Sequence, residues 1–271
     1  MNKKIGFIGC GKMANAMIEG ILRSNLISPD NIKVSARTEE TLKKIKSKYK
    51  INTTLQNGEV AEFADIVILA VKPDLYSSVI NEIKTKVKED AVIVTIAAGI
   101  SLNDVENFFG RNVKAVRTMP NTPSFAGEGM SALCPNASIT EEDLARIERV
   151  FNSFGKTEIL EEKLMDAVPA ISGSSPAYVY MMIEAMADGG VRLGVPRDKA
   201  YRLAAQAVMG AAKMVLESGE HPGALKDNVC TPGGATIEAV ATLEQHHFRG
   251  AVLAAMESCY EKTKALSNPK K

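Results

Sequence analysis

A surplus of charge is the first thing this chain lacks. Lysine and arginine number 33 against 32 aspartates and glutamates, a net charge of +1, so there is none of the basic excess that binding to nucleic acid or an anionic membrane usually brings. Cysteine is scarce as well. Cys10, Cys134, Cys230 and Cys259 stand far apart with no Cys-x-x-Cys pair and no adjoining histidine, which argues against a zinc site and a disulfide framework. No metal site is expected. No apolar run reaches membrane-spanning length, and the two lysines near the start lead straight into a strand-like run rather than a signal-peptide core. These absences predict a cytoplasmic protein with reduced thiols. Histidine is thin too: His221 stands in a His-Pro-Gly turn, and His246 and His247 fall between two helical stretches. Such places suit capping or surface roles better than that of a catalytic base.

What is present begins almost at once. Lys3 to Leu22 reads KKIGFIGCGKMANAMIEGIL, a strand, a glycine turn and a helix in one unit. Ile5, Phe7 and Ile8 form an apolar run suited to a strand covered on both faces. Gly9-Cys10-Gly11-Lys12-Met13-Ala14 follows as G-x-G-x-x-A, and Met13, Met17, Ile18, Ile21 and Leu22 recur at helical spacing. In a dinucleotide-binding turn the first glycine permits the bend and the second lets backbone N–H groups reach a pyrophosphate. The third position is small so that helix and strand pack closely, as Ala14 allows. The phosphates then lie at the helix N-terminus, where unpaired N–H groups favour negative charge. An ordinary strand-to-helix turn is the alternative.

Further along, Asn31 to Arg37 reads as a second strand and 39–49 as a lysine-rich outer helix with Leu42, Ile45 and Tyr49 inward. Asp65 to Val71 and Val92 to Ala98 read as buried parallel strands joined by a helical crossover at Leu75 to Val87, with a fifth strand at Lys114 to Thr118 ending in a two-proline turn. Thr140 and Asp143 resemble an N-cap pair, and Thr157 to Leu160 a closing strand. The alternation predicts an α/β fold: an N-terminal Rossmann-type doubly wound parallel sheet over residues 1–163. At the end of the second strand, where an NAD-preferring fold carries an acidic residue for the ribose 2′-hydroxyl, stand Ser35, Ala36, Arg37 and Thr38. Arg37 suits a 2′-phosphate, with the Ser35 and Thr38 hydroxyls adding hydrogen bonds, so NADPH is expected and NADH is the weaker alternative. A solvated arginine opening the next helix is the competing account.

Beyond about residue 164 no strand pattern recurs, and an all-helical C-terminal domain is expected over 164–271. Helices are predicted at Pro176 to Gly190, Pro196 to Ser218, near Ala224, at Thr236 to Leu243 and at His247 to Leu266. Leu203 to Leu216 has only Gln206 and Lys213 as strongly polar residues, so no face is designed for water. An intimate homodimer through these helices accounts for that, and a helix buried within one domain is the alternative. Thr231-Pro232-Gly233-Gly234-Ala235-Thr236 is a hydroxyl- and glycine-rich loop opening a helix, either an anion site or a capped helix with a glycine lead-in.

These residues bring the chain to a family. It resembles pyrroline-5-carboxylate reductase over essentially its whole length, in FIGCGKMA, AVKP at Ala70 to Pro73, RTMPNTP at Arg117 to Pro123, SGSSPAYVY at Ser172 to Tyr180 and HPGALKDNVCTPGGATIEAV at His221 to Val240. The resemblance implies NADPH-dependent reduction of L-1-pyrroline-5-carboxylate to L-proline by hydride transfer, the last step of proline biosynthesis. It implies an obligate homodimer with active sites between domains, often assembled as a pentamer of dimers. Ile8, Gly9, Cys10, Gly11, Lys12, Met13, Asn57, Ala70, Val71, Lys72, Pro73, Ala97, Ala98 and Asn228 would contact the cofactor. Thr231, Gly234, Ala235 and Thr236 would hold the substrate carboxylate, with the catalytic Thr236 hydroxyl near the ring nitrogen. A Cys-Thr pair at 230–231 stands where many relatives have two serines, but a hydroxyl survives at 231. Reduction of an imine needs little beyond an aligned hydride and a donor for the nitrogen, which suits a chain without an obvious base. Two rivals remain: a related imine or hydroxyacid reductase, the latter expecting a catalytic lysine for which Lys163 and Lys199 are available, and a non-catalytic NADP-binding scaffold.

Overall fold

The computed structural model describes residues 1–267. Eight strands form one sheet: β1 (Ile5–Ile8), β2 (Ile32–Ser35), β3 (Asn52–Thr54), β4 (Ile66–Leu69), β5 (Val92–Thr95), β6 (Lys114–Met119), β7 (Gly129–Pro135) and β8 (Gly155–Ile159). Their order is 3-2-1-4-5-6-7-8, so the winding reverses between β1 and β4, the switch point where such sheets bind ligands. All pairings are parallel except β6 with β7.

The helices α1 (Lys12–Arg23), α2 (Glu39–Tyr49), α3 (Asn57–Phe63), α4 (Tyr76–Ile83), α5 (Leu102–Phe109) and α6 (Glu141–Phe151) cover both faces. Ile5, Phe7, Ile66 and Ile68 join a core with Met17, Ile18, Ile45 and Phe151 from α1, α2 and α6. Ile8, Val67 and Leu69 join the other with Val60, Ile80 and Val105 from α3, α4 and α5. The period-two alternation of a strand therefore feeds two cores, and each fully buried aliphatic chain contributes about 1.5–3 kcal/mol. Gly6 lets α3 lie against β1, since a Cβ there would stand 2.8 Å from that of Ala64.

The expected doubly wound sheet is present, with corrections. β3 and α3 occupy a stretch that carries no strand or helix signal: β3 is the three polar residues NTT and α3 only two turns. The strand at Lys114 is thus the sixth. β7 turns antiparallel after the two-proline turn at Pro120 and Pro123, whose second half, Thr122–Ala126, winds as a 3-10 helix. The second strand stops at Ser35, short of Arg37.

By compactness the chain divides into two units, Met1–Ser174 together with the chain from Cys259, and Ser175–Ser258. The second holds α7 (Ser175–Arg192), α8 (Arg197–Ser218), α9 (Pro222–Val229), α10 (Ala235–Gln245) and the start of α11 (Phe248–Ser267). Among the described residues no strand follows β8, as expected. α7 and α8 pack through small residues: Ala187, Ala200 and Ala204 are buried, and a Cβ on Gly190 would stand 3.3 Å from that of Ala200. Large side chains of this unit are left in the open, with Met181 70% and Leu216 83% exposed. The missing solvated face of Leu203 to Leu216 is therefore a face uncovered in a single chain.

Candidate active site

The glycine turn is built as its sequence suggests. Gly9 has φ +92°, and a Cβ there would stand 2.6 Å from the Ala70 carbonyl and 2.9 Å from Val71 Cγ1, so only glycine lets the turn lie against the end of β4. The Gly9 N–H donates to the Ser35 carbonyl at 3.1 Å and the Ala70 N–H to the Ile8 carbonyl at 2.8 Å. Gly11 is different: it precedes α1 with no side-chain cap and has nothing within 4 Å of where a Cβ would be. Open space beside uncapped helix N–H groups fits a bound pyrophosphate. Ala14 is buried at the third position. Burial pushes the Cys10 thiol up to about 11, against a hydrogen bond from the Asn15 amide, so it stays a neutral wall of the loop.

Ile8 to Met13, Ser35, Asn57, Ala70 to Pro73 and Ala97-Ala98 are brought to one edge of the sheet, at the C-terminal ends of β1, β2, β4 and β5. Two hydroxyls expected to meet a 2′-phosphate are already engaged there. Ser35 is fully buried and its Oγ donates to Asn57 Oδ1 at 2.7 Å. Thr38 caps α2, its Oγ1 accepting from the Thr41 N–H at 3.3 Å. Arg37 is exposed and, among the described residues, has no hydrogen-bond or ion-pair partner, which leaves its guanidinium available for a phosphate.

Beneath the switch point lies a polar scaffold with no sequence signal. The Tyr76 hydroxyl donates to the Leu69 carbonyl at 2.7 Å and accepts from Thr95 Oγ1 at 2.9 Å, while Thr118 Oγ1 donates to the Thr95 carbonyl at 2.9 Å. Burial pushes the Tyr76 phenol up to about 12, so it serves as a neutral strut between β4 and β5. Arg117, buried in β6, donates through Nη2 to Asp166 at 2.5 Å and lies 3.5 Å from Glu162, whose carboxylate also accepts the Leu102 N–H at 2.7 Å. Asn121 fastens the next stretch by donating to the Ser172 carbonyl at 2.9 Å and accepting from the Met130 N–H at 2.9 Å. The RTMPNTP motif thus ties residues 162–172 to the sheet.

The second glycine loop belongs to the helical unit. Gly233 has φ +68°, Gly234 donates to the Thr231 carbonyl at 3.0 Å, and Gly234 caps α10 with no side-chain hydrogen bond. α10 opens at Ala235, one residue earlier than expected. Thr231 is exposed and Thr236 half-buried, and neither hydroxyl has a partner among the described residues. Uncapped N–H groups and two free hydroxyls thus stand together as hydrogen-bond donors at the start of α10. Asn228 is exposed near the end of α9. His221 caps α9, its Nδ1 accepting the Gly223 N–H at 3.0 Å. Lys163 pairs with Glu161 at 2.5 Å on the surface, which offers nothing to the hydroxyacid alternative. Among the described residues no cluster of His, Cys, Asp or Glu could hold a metal, and no helix is long and apolar enough to cross a membrane.

Residues 162–266 match the family described as pyrroline-5-carboxylate reductase dimerisation, and residues 4–99 the one described as NADP oxidoreductase, coenzyme F420-dependent. The chain is 48% identical to pyrroline-5-carboxylate reductase of Escherichia coli K12 over 267 residues, 98% of this chain and 99% of that one. It belongs to the pyrroline-5-carboxylate reductase family. It is 41% identical to pyrroline-5-carboxylate reductase of Methanosarcina acetivorans, over 98% of each chain. Among solved structures, the pyrroline carboxylate reductase of Plasmodium falciparum with NADP bound superposes with a TM-score of 0.89 at 35% identity, over 98% of this chain and 99% of that one. The Coxiella burnetii enzyme gives 0.92 at 31%, over 99% and 100%. With membership goes the activity: an NADPH-dependent oxidoreductase that reduces L-1-pyrroline-5-carboxylate to L-proline, the last step of proline biosynthesis, in a homo-oligomer.

Proposed function

We propose that the two glycine loops divide the reaction between them, one holding the cofactor's pyrophosphate and the other the substrate's carboxylate. Bound NADPH supplies the hydride for the imine carbon. Ile8 to Met13, Ala70 to Pro73, Ala97 and Ala98 cradle it, Arg37 meets the 2′-phosphate and makes NADPH preferred over NADH, and Asn57 and Asn228 complete the contacts. Thr231, Gly234 and Ala235 bind the carboxylate by hydroxyl and backbone N–H groups. The Thr236 hydroxyl donates to the ring nitrogen as it becomes basic. The observation that carries this reading is the pair of uncapped helix N-termini behind glycines, each with open donors. Residues 1–163 form the cofactor domain and 164–271 the dimerisation and substrate domain, a division supported by the dimerisation match at 162–266; residues 268–271 lie outside the described residues. A homodimer covers the exposed apolar side chains of α7, α8 and α11, and dimers assemble as a pentamer in the cytoplasm.

Thr236→Val tests the donor. It is expected to lower kcat/KM by at least about tenfold, because a hydrogen bond to a charged group is worth roughly 1.5–3 kcal/mol and about 1.4 kcal/mol is tenfold. Unchanged kinetics in a folded variant would remove Thr236 from the mechanism.

A further inference from the structure

The end of β2 holds a carboxylate that its own sequence does not carry. Ser35, the last residue of that strand, accepts the Gly9 N–H at its carbonyl, which ties the strand end to the pyrophosphate turn. Dinucleotide folds place the group that reads the ribose 2′ position at this strand end. Ser35 itself is sealed, and the half-exposed polar group standing on it is Asn57, whose Oδ1 accepts from Ser35 at 2.7 Å. The other end of that amide donates to Glu82 Oε2 at 2.8 Å, an exposed carboxylate reaching over from α4. The direction of this chain is fixed chemically. A carboxylate only accepts, so the Asn57 NH2 must face Glu82, its oxygen must face Ser35, and the Ser35 proton is committed to Asn57. Among the described residues Glu82 has no ion pair; the nearby Lys86 is spent on Glu62 at 3.1 Å.

We infer that Glu82 is a specificity-determining residue, a carboxylate supplied by α4 rather than β2 that lowers the preference for NADPH over NADH by repelling the 2′-phosphate. It works against Arg37, so the chain carries both signs at one nucleotide subsite and retains use of NADH. The inference rests on the proposal that the N-terminal loop binds the dinucleotide.

The test is equilibrium binding of NADPH and of NADH to the full chain, followed by nucleotide fluorescence, for wild type and for Glu82→Gln, Glu82→Lys and Glu82→Asp. A unit charge pair in water is worth about 1 kcal/mol at 4 Å, roughly fivefold. The ratio Kd(NADH)/Kd(NADPH) is expected to rise about threefold in Glu82→Gln and about tenfold in Glu82→Lys, to stay near wild type in Glu82→Asp, and to lose its dependence on charge at about 1 M salt. A purely structural role for Glu82 would weaken both nucleotides together and leave the ratio fixed. A ratio unmoved in both the Gln and Lys variants, or one that moves equally at all salt concentrations, overturns the inference. Wild type that binds neither nucleotide overturns instead the dinucleotide site on which it rests.

Discussion

Gly9 and Gly11 stand two residues apart in one loop, yet alanine at each should fail in a different way. At Gly9 the backbone has φ +92° and a Cβ would press to 2.6 Å from the Ala70 carbonyl and 2.9 Å from Val71. The left-handed conformation costs an L-residue about 1–2 kcal/mol and overpacking about 1–3 kcal/mol. Gly9→Ala should therefore lose about 2–5 kcal/mol, which for a domain of this size lowers the thermal midpoint by roughly 5–15 °C. At Gly11 the backbone is ordinary, with φ −75°, and the Cβ would meet nothing within 4 Å. Gly11→Ala should leave the midpoint unchanged or slightly higher, because alanine restricts the unfolded chain. The same methyl would stand where backbone N–H groups meet the pyrophosphate and should raise Kd for NADPH by at least about tenfold, or 1.4 kcal/mol. Thermal unfolding monitored by circular dichroism and fluorescence titration with NADPH, run on both variants, separate the two effects. Wild-type affinity in Gly11→Ala, or a wild-type midpoint in Gly9→Ala, would refute the division of roles.

Tyr76→Phe should destabilise by about 1–3 kcal/mol, read from urea unfolding, because it strips a buried carbonyl and a buried hydroxyl of their partner. Arg37→Ala should lower the ratio of kcat/KM with NADPH to that with NADH; a fixed ratio would assign Arg37 to the solvated surface. Burial raises the Asp143 carboxyl, but Lys114 at 2.9 Å and the Thr140 hydroxyl and N–H outweigh it and hold it below the ordinary carboxylate value. A folded-state pKa below the unfolded one gives stability that is full above about pH 4 and lost as pH falls through the folded value. Asp143→Asn should accordingly lower stability at pH 7 and flatten its fall below about pH 4, measured as unfolding midpoints against pH.

Features encoded at short range are legible in the residues alone. The G-x-G-x-x-A turn, the buried strands at Ile5, Ile66 and Val92, the Thr140 cap, the run of C-terminal helices and the TPGGAT loop each follow from periodicity or turn chemistry within a dozen residues. The family and its reaction followed from motifs of the same kind. Elements without local pattern escaped: polar β3, the short α3, and β7, whose antiparallel direction depends on its neighbour rather than its own residues. Which side chains meet across distance follows from the folded arrangement and from nothing local. Ser35 and Asn57 lie 22 residues apart and Asn57 and Glu82 lie 25 apart, so no spacing rule could join them. The same holds for Arg117 with Asp166, 49 apart, and for Thr95, which bonds Tyr76 through its hydroxyl and Thr118 through its carbonyl. A hydrogen bond needs donor and acceptor within about 3 Å, and in a doubly wound sheet that proximity is set by strand order, which the sequence encodes only through the whole fold.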